Sequence, residues 1–153
     1  MNTKLLNSLR EFSIYGPYRA KSLKDLISVY YDFSKPDAKA GTYRLILRNA
    51  LDICSIYAND NESRWHKYCT DLYKLVREEA INLFIEEHLD AYFDDLEEFR
   101  YDVDYQNAQR DIGEIEYIYS NDPESIIYEK KYDYLDKHFD IITNYLFVNG
   151  GDI

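Results

Sequence analysis

The fold is decided by residues 65–103, WHKYCTDLYKLVREEAINLFIEEHLDAYFDDLEEFRYDV. They lie within the 71 residues between Gly41 and Gly113 that contain neither glycine nor proline, and such a stretch favours long helices. Apolar residues recur there at spacings of three and four, which is the helical period. One continuous helix would be about 40 residues and roughly 60 Å long. We therefore predict a kink or short break within residues 77–82. The inward-facing set comprises Trp65, Cys69, Leu72, Val76, Ala80, Ile81, Phe84, Ile85, Leu89, Tyr92, Leu96, Phe99 and Val103.

Helix start and stop signals extend this pattern to both ends of the chain. Thr3 and Ser22 are placed to cap the first two helices, and Pro36 suits the first turn of a third. Residues 59–62, NDNE, predict a break, and Asp122-Pro123-Glu124 predicts the start of a last helix that ends at Gly150-Gly151. We expect an all-α protein of five to six helices in a compact bundle. Residues 112–119 fit either a helix or one short strand or hairpin.

Charge divides the chain into two subdomains. Residues 1–77 contain 13 Lys and Arg against 8 Asp and Glu, a formal charge of +5. Residues 78–153 contain 5 and 21, a formal charge of −16, and they are also rich in tyrosine. Folding rarely requires such asymmetry, because like charges on a helix surface repel each other. We interpret the halves as a mildly basic helical subdomain and a strongly acidic helical subdomain.

The acidic residues have a regular spacing. Glu86, Asp90, Asp94 and Glu98 are four residues apart, so one continuous helix would align them about 6 Å apart, similar to neighbouring phosphates. Such a row is either a solvated face that confers solubility or a surface that docks on a basic groove of another protein. Tyrosines favour the second interpretation, since tyrosine is enriched at interfaces. The predicted partner-binding residues are Glu86, Glu87, Asp90, Asp94, Asp95, Glu97, Glu98, Tyr101, Asp102, Asp104 and Tyr105.

An alternative function rests on the basic part. Helices near 22–31 and 36–57 could form a helix-turn-helix-like unit within 21–57, although the connection at 31–35 is longer than the usual turn. The second helix would present residues to base edges near its start. This alternative is a DNA-binding regulator that uses residues 21–48, with the acidic half for dimerisation or autoinhibition. Its candidate DNA-binding residues are Lys39, Thr42, Tyr43, Arg44 and Arg48.

Motifs of catalysis and cofactor binding are absent from the sequence. We find no phosphate-binding loop, dinucleotide fingerprint, nucleophile elbow or zinc-ligand pattern, and the three histidines are isolated. We expect no catalytic residues, cofactor or metal. Cys54 and Cys69 are expected to be reduced, partly buried thiols. No apolar stretch approaches the ~20 residues of a membrane span, and no signal peptide is recognisable, so we expect a soluble cytoplasmic protein.

In composition the chain is similar to small acidic helical inhibitors, such as phage-encoded inhibitors of restriction or CRISPR nucleases and immunity proteins of nuclease toxins. This similarity transfers no residue role. It favours a non-enzymatic inhibitor whose acidic half occupies the basic surface of a nucleic-acid-binding protein, such as a nuclease. Direct binding of nucleic acid is disfavoured by the net charge of −11. A homodimer that pairs the basic half with the acidic half is a further arrangement.

Overall fold

The computed structural model describes residues 2–88, 90–112 and 122–150. Across these residues the regular structure is entirely helical, with nine α-helices and one short 3₁₀ helix at Tyr18–Lys21. The all-α prediction is therefore confirmed, whereas five to six helices is too few. No helix in the described ranges has the length and apolar character to cross a membrane. The α-helices are α1 (Thr3–Tyr15), α2 (Ser22–Asp32), α3 (Pro36–Ala58), α4 (His66–Glu87), α5 (Asp90–Asp94), α6 (Glu97–Arg100), α7 (Val103–Ile112), α8 (Pro123–Lys137) and α9 (Phe139–Gly150).

The additional helices arise from breaks that neither glycine nor proline marks. The short break predicted within 77–82 is wrong, because α4 runs unbroken to Glu87. Helix α4 ends at Glu87, and a second interruption lies at residues 95–96. A third interruption, at His138, divides the predicted last helix into two. Ile112 is helical, and the rest of the predicted strand or hairpin, residues 113–119, lies outside the described part of the chain.

Local capping signals were more reliable than the predicted break. Pro36 occupies the first turn of α3, and Asp122 caps α8 by accepting a hydrogen bond from the Glu124 N–H at 3.1 Å. Asn2 caps α1 in place of Thr3, accepting from the Leu5 N–H at 3.0 Å. Ser22 does not cap α2, because the 3₁₀ helix leads directly into that helix.

The chain divides into two compact units. Unit 1 comprises Met1–Ala80 with Asp140–Ile153, and unit 2 comprises Ile81–Phe139. This division differs from the charge boundary at 77–78, since the C-terminal segment groups with unit 1. Unit 1 has 13 basic and 12 acidic residues, a formal charge of +1, whereas unit 2 has 5 and 17, a formal charge of −12. The excess negative charge therefore belongs to one compact unit.

Unit 1 has an aliphatic core between its long helices. Buried side chains from α1, α2, α3 and α4 include Leu9, Leu23, Ile46, Leu47 and Val76. Cys54 and Cys69 are both buried and reduced. Burial raises the pKa of the Cys54 thiol to about 12, so this thiol stays protonated and packs as a small apolar group.

Unit 2 is centred on aromatic rings. Each of the helices α5, α6 and α7 contributes one fully buried ring, from Phe93, Phe99 and Tyr105 respectively. The ring centroids of Phe93 and Phe99 are 5.5 Å apart, and those of Phe99 and Tyr105 are 4.8 Å apart. Tyr134 of α8 packs edge-on against Phe99 at 5.5 Å. These edge-to-face contacts hold together helices that are too short to form an apolar stripe.

Candidate acidic interaction surface

Most of the predicted partner-binding side chains are on the surface of unit 2. Asp102 is half-buried and Tyr105 is fully buried, while the side chain of Asp90 lies outside the described part of the structure. The prediction that Tyr105 is an interface residue is therefore wrong, because its ring belongs to the core. The exposed members of the predicted set are Glu86, Glu87, Asp94, Asp95, Glu97, Glu98, Tyr101 and Asp104.

The predicted row of carboxylates on one helix is also wrong. Glu86 lies on α4, Asp94 on α5 and Glu98 on α6. The four-residue spacing therefore does not place these side chains one helical turn apart along a common axis. The acidic surface is built instead from the exposed sides of several separate helices.

Asp94 joins α5 to α7. Its Oδ1 atom accepts hydrogen bonds from the Tyr105 hydroxyl at 2.9 Å and from the Gln109 Nε2 group at 2.8 Å. Gln109 Nε2 also lies 2.9 Å from the Tyr105 hydroxyl oxygen, as a donor to it. This carboxylate therefore satisfies the polar end of a buried tyrosine, and its role is structural as well as electrostatic.

Asp102 is similarly engaged within unit 2. Its carboxylate accepts from the Tyr105 backbone N–H at 2.9 Å and from the Lys130 ammonium at 3.0 Å. Partial burial raises the pKa of Asp102, but these hydrogen bonds outweigh that effect, and the pKa lies below its usual value. Asp102 thus caps α7 and links it to α8.

Two of the five basic side chains of unit 2 are not fully exposed. Lys130 pairs with Asp102, and Lys131 is buried with its Nζ atom 4.8 Å from the centroid of the Phe93 ring. The exposed basic residues of the described part of unit 2 are Arg100, Arg110 and Lys137, against twelve exposed acidic residues. Asp102 and Asp111 are not exposed either, so the surface keeps the excess of negative charge that the composition of unit 2 indicates.

Helix α8 adds carboxylates that the sequence prediction omitted. Glu129, Asp133 and Asp136 are exposed on this helix. Their spacing of three and four residues was visible in the sequence and would have placed them on one helical face. That signal was overlooked because the prediction followed the densest acidic segment rather than the packing of α8.

A polar cleft opens between the two groups of carboxylates. It is lined by Glu98, Phe99, Asp102, Lys130, Asp133 and Lys137. The Lys130 ammonium is paired with Asp102, whereas Glu98 and Asp133 are exposed at the cleft. The lining holds three carboxylates and two ammonium groups, and this excess of one negative charge favours a cationic side chain.

The described side chains show no metal centre. Within the described ranges, no group of three or more His, Cys, Asp or Glu side chains is arranged to hold a metal ion. The many carboxylates of unit 2 are therefore dispersed over its surface in this part of the chain.

The residues of the alternative DNA-binding function are mostly engaged within unit 1. The connection between α2 and α3 is three residues long and not five, as the sequence indicated. A connection of three residues is the length that a helix-turn-helix requires. Thr42 and Tyr43 are buried, however, and donate hydrogen bonds to the Ala38 carbonyl and the Glu79 carboxylate. These two residues cannot contact base edges in this structure, and the prediction that they do so is wrong.

The basic residues of this alternative set pack on aromatic rings. The Arg44 guanidinium lies 5.7 Å from the Tyr145 ring centroid, and that of Arg48 lies 4.1 Å from the Phe147 ring centroid, both rings on α9. The Lys39 ammonium lies 5.1 Å from the Tyr30 ring centroid. Helix α9 thus contacts the side of α3 that carries the two arginines.

Comparisons with protein families, with curated proteins and with solved structures found no match to this chain.

Proposed function

We propose that the chain is a non-enzymatic binding protein that docks unit 2 on the basic, nucleic-acid-binding surface of a partner protein and thereby inhibits it. One observation carries the proposal: twelve exposed acidic residues face three exposed basic residues in the described part of unit 2.

The imbalance of charge destabilises the protein itself but favours binding to a basic surface of another protein. Dispersed like charges repel each other and destabilise the compact state, and unit 1 folds with nearly balanced charges. A concentrated negative surface accelerates encounter with a basic surface and competes with nucleic acid for it. Rising salt should therefore weaken the complex mainly by slowing association.

The polar cleft of unit 2 supplies a position for specific contact. An arginine or lysine of the partner would lie between Glu98 and Asp133. Charged residues at the rim of an interface set its association rate, whereas a few well-packed anchors supply most of the affinity. The cleft and Tyr101, which is 72% exposed, are the candidates for such anchors.

The test uses the full chain, immobilised, with a nuclease-treated cell lysate as the source of partners. Two variants are compared with the wild type. Glu97→Gln/Glu98→Gln/Asp133→Asn removes three exposed carboxylates from unit 2. Asp25→Asn/Asp52→Asn/Asp71→Asn removes three exposed carboxylates from unit 1 and changes the net charge equally.

The expected partner is retained by the wild type and by the unit 1 variant, is depleted on the unit 2 variant, and is released by added duplex DNA. The purified partner should then lose its own binding to that duplex when the chain is added, which a mobility-shift assay measures. Equal retention by both variants, or retention that duplex DNA does not reduce, would overturn the proposal.

A further inference from the structure

A second recess lies within unit 1. It is an open cleft of about 140 Å³ between the end of α1 and the start of α4. Ligand pockets for drug-sized molecules occupy about 300–1,000 Å³, so this cleft suits a single small group. We call it the aromatic cleft, and its lining residues are Glu11, Phe12, Tyr15, Gly16, Trp65 and Tyr68.

Four of the six lining side chains are aromatic. The rings of Trp65 and Tyr68 are 5.9 Å apart at an interplanar angle of 78°, so they form two steeply inclined walls. Phe12 is buried and packs against Tyr68 at 5.7 Å. Tyr15 is 78% exposed, so its ring is accessible from solvent.

The walls are held by backbone contacts. The Trp65 N–H donates to the Ser63 hydroxyl at 3.1 Å, and the Trp65 carbonyl accepts from the Cys69 N–H at 2.9 Å. Gly16 ends α1 next to Phe12, and a Cβ atom at Gly16 would lie 2.8 Å from the Phe12 ring and 2.3 Å from its carbonyl oxygen. The absence of a side chain at Gly16 therefore allows the backbone to approach Phe12 closely at this side of the cleft.

The remaining lining residue supplies negative charge. Glu11 is exposed on α1, one helical turn before Tyr15. Glu11 and Tyr68 line the same cleft, and burial, followed by the negative charge of Glu11, raises the pKa of Tyr68. The cleft thus combines the negative faces of several π systems with one carboxylate.

We propose that the aromatic cleft binds a quaternary ammonium group, with the aromatic rings of Tyr15, Trp65 and Tyr68 around the cation and Glu11 as its counter-charge. Methylated ammonium groups are weakly hydrated cations with an apolar surface, and aromatic cages recognise them through cation–π attraction. This site is independent of the function proposed for unit 2.

An internal cation supports the electrostatic part of the argument. The Arg64 guanidinium lies 5.2 Å from the centroid of the Trp65 ring, within cation–π distance. Because its positive charge opposes that of a bound ligand, the variant Arg64→Gln should bind the ligand more tightly, by about threefold.

Trp65 makes the site directly observable, since it is the only tryptophan in the chain. Its indole N–H gives a single cross-peak in a ¹H–¹⁵N correlation spectrum. Titration of the full chain with choline should move this peak in a saturable manner. The neutral analogue 3,3-dimethylbutan-1-ol has the same shape without the charge and should bind about tenfold more weakly.

Matched variants test whether the aromatic ring of Tyr15 contributes more than its apolar area. They also test whether the carboxylate of Glu11 contributes more than any other negative charge. Tyr15→Leu should weaken choline binding by about threefold to tenfold, whereas Tyr15→Phe should leave it nearly unchanged. Glu11→Gln should weaken it by about threefold. Asp52→Asn alters an exposed carboxylate on α3, outside the cleft, and should have no effect. Circular dichroism establishes that each variant is folded.

A second arm identifies the source of the group. A peptide with one trimethyl-lysine is compared with choline and with the same peptide carrying unmodified lysine. Tighter binding of the methylated peptide supports a protein ligand, and tighter binding of choline supports a small molecule. Equal binding of choline and its neutral analogue, unchanged binding by Tyr15→Leu and Glu11→Gln, or an unmoved Trp65 peak would each overturn the proposal.

Discussion

Unit 1 contains α1, α2 and α3, which are 13, 11 and 23 residues long, and most of α4, whereas the acidic segment of unit 2 contains helices of 5, 4 and 10 residues. The long helices bury aliphatic stripes against one another. The short helices cannot do so, and each is fixed by one buried aromatic ring. In unit 2, which also carries the excess negative charge, buried aromatic rings therefore stabilise helices that are too short to bury an aliphatic stripe.

This difference explains the tyrosine content of the acidic region. Tyr105 is buried and Tyr134 packs on Phe99, so these rings belong to the core of unit 2. Tyr101, by contrast, is 72% exposed. A tyrosine of this region is therefore either a core residue or a surface residue, and only the packing shows which. Only the exposed rings are available to a partner.

The largest expected effect comes from removing a central ring of unit 2. Phe99→Ala should lower the free energy of unfolding by about 3–5 kcal/mol, because the ring contacts Phe93, Tyr105 and Tyr134 and leaves a cavity. Urea denaturation followed by far-ultraviolet circular dichroism measures this. Tyr101→Ala, an exposed ring two residues away, should change stability by less than about 0.5 kcal/mol. Similar losses in both variants would contradict an aromatic core centred on Phe99.

The corresponding test in unit 1 adds one atom rather than removing a ring. Gly16→Ala should cost about 1–3 kcal/mol, because the new Cβ atom would lie 2.3 Å from the Phe12 carbonyl oxygen and one of the two must shift. Thermal unfolding measures the loss. Ser34→Ala, in the exposed connection between α2 and α3, is the control. A Gly16→Ala variant as stable as this control would contradict the prediction, because it would show that the backbone at the end of α1 shifts to accommodate the Cβ atom without loss of stability.

The features of the fold that could be predicted from the sequence are those set by residues close together in the chain. Pro36 and Asp122-Pro123 predicted helix starts correctly, because capping and proline geometry involve only a few neighbouring residues. The apolar period also identified buried residues such as Cys69 and Val76 correctly. Val103, placed in the same inward-facing set, is 69% exposed, because it opens α7 instead of continuing a long helix.

The missed features depend on contacts between helices. Nothing near His88 resembles a helix terminator in sequence, yet α4 ends at Glu87. The uninterrupted apolar period continued past this point, and so did the predicted carboxylate row. Whether a helix continues is decided by what its apolar side can be buried against, and sequence spacing does not contain that information. For the same reason the burial of Tyr105 was not foreseen.

A smaller effect tests the polar connection that supports the short helices. Tyr105→Phe removes the hydroxyl that donates to Asp94, so it should destabilise the protein by about 1 kcal/mol while the ring remains buried. Tyr101→Phe makes the same chemical change on an exposed ring and should be nearly neutral. Urea denaturation of both variants makes the comparison. Equal stabilities would indicate that Asp94 contributes only surface charge.

The smallest effect should depend on pH. Because the folded protein holds the pKa of Asp102 below its usual value, the pairing with Lys130 stabilises the fold above the pKa of the unfolded chain, about 3.9. This contribution is lost as the pH falls through the lower folded value. Lys130→Met should therefore cost about 0.5 kcal/mol at pH 7, and the difference from the wild type should disappear near pH 2.

Lys137→Met provides the control for this experiment, because Lys137 lines the same cleft but is exposed. It removes the same charge without removing the hydrogen bond to Asp102, so the acid dependence should follow the wild type. A loss in Lys130→Met that persists unchanged at pH 2 would mean that Lys130 acts through the packing of its aliphatic stem. In that case the link between α7 and α8 would be apolar, as the aromatic core of unit 2 is.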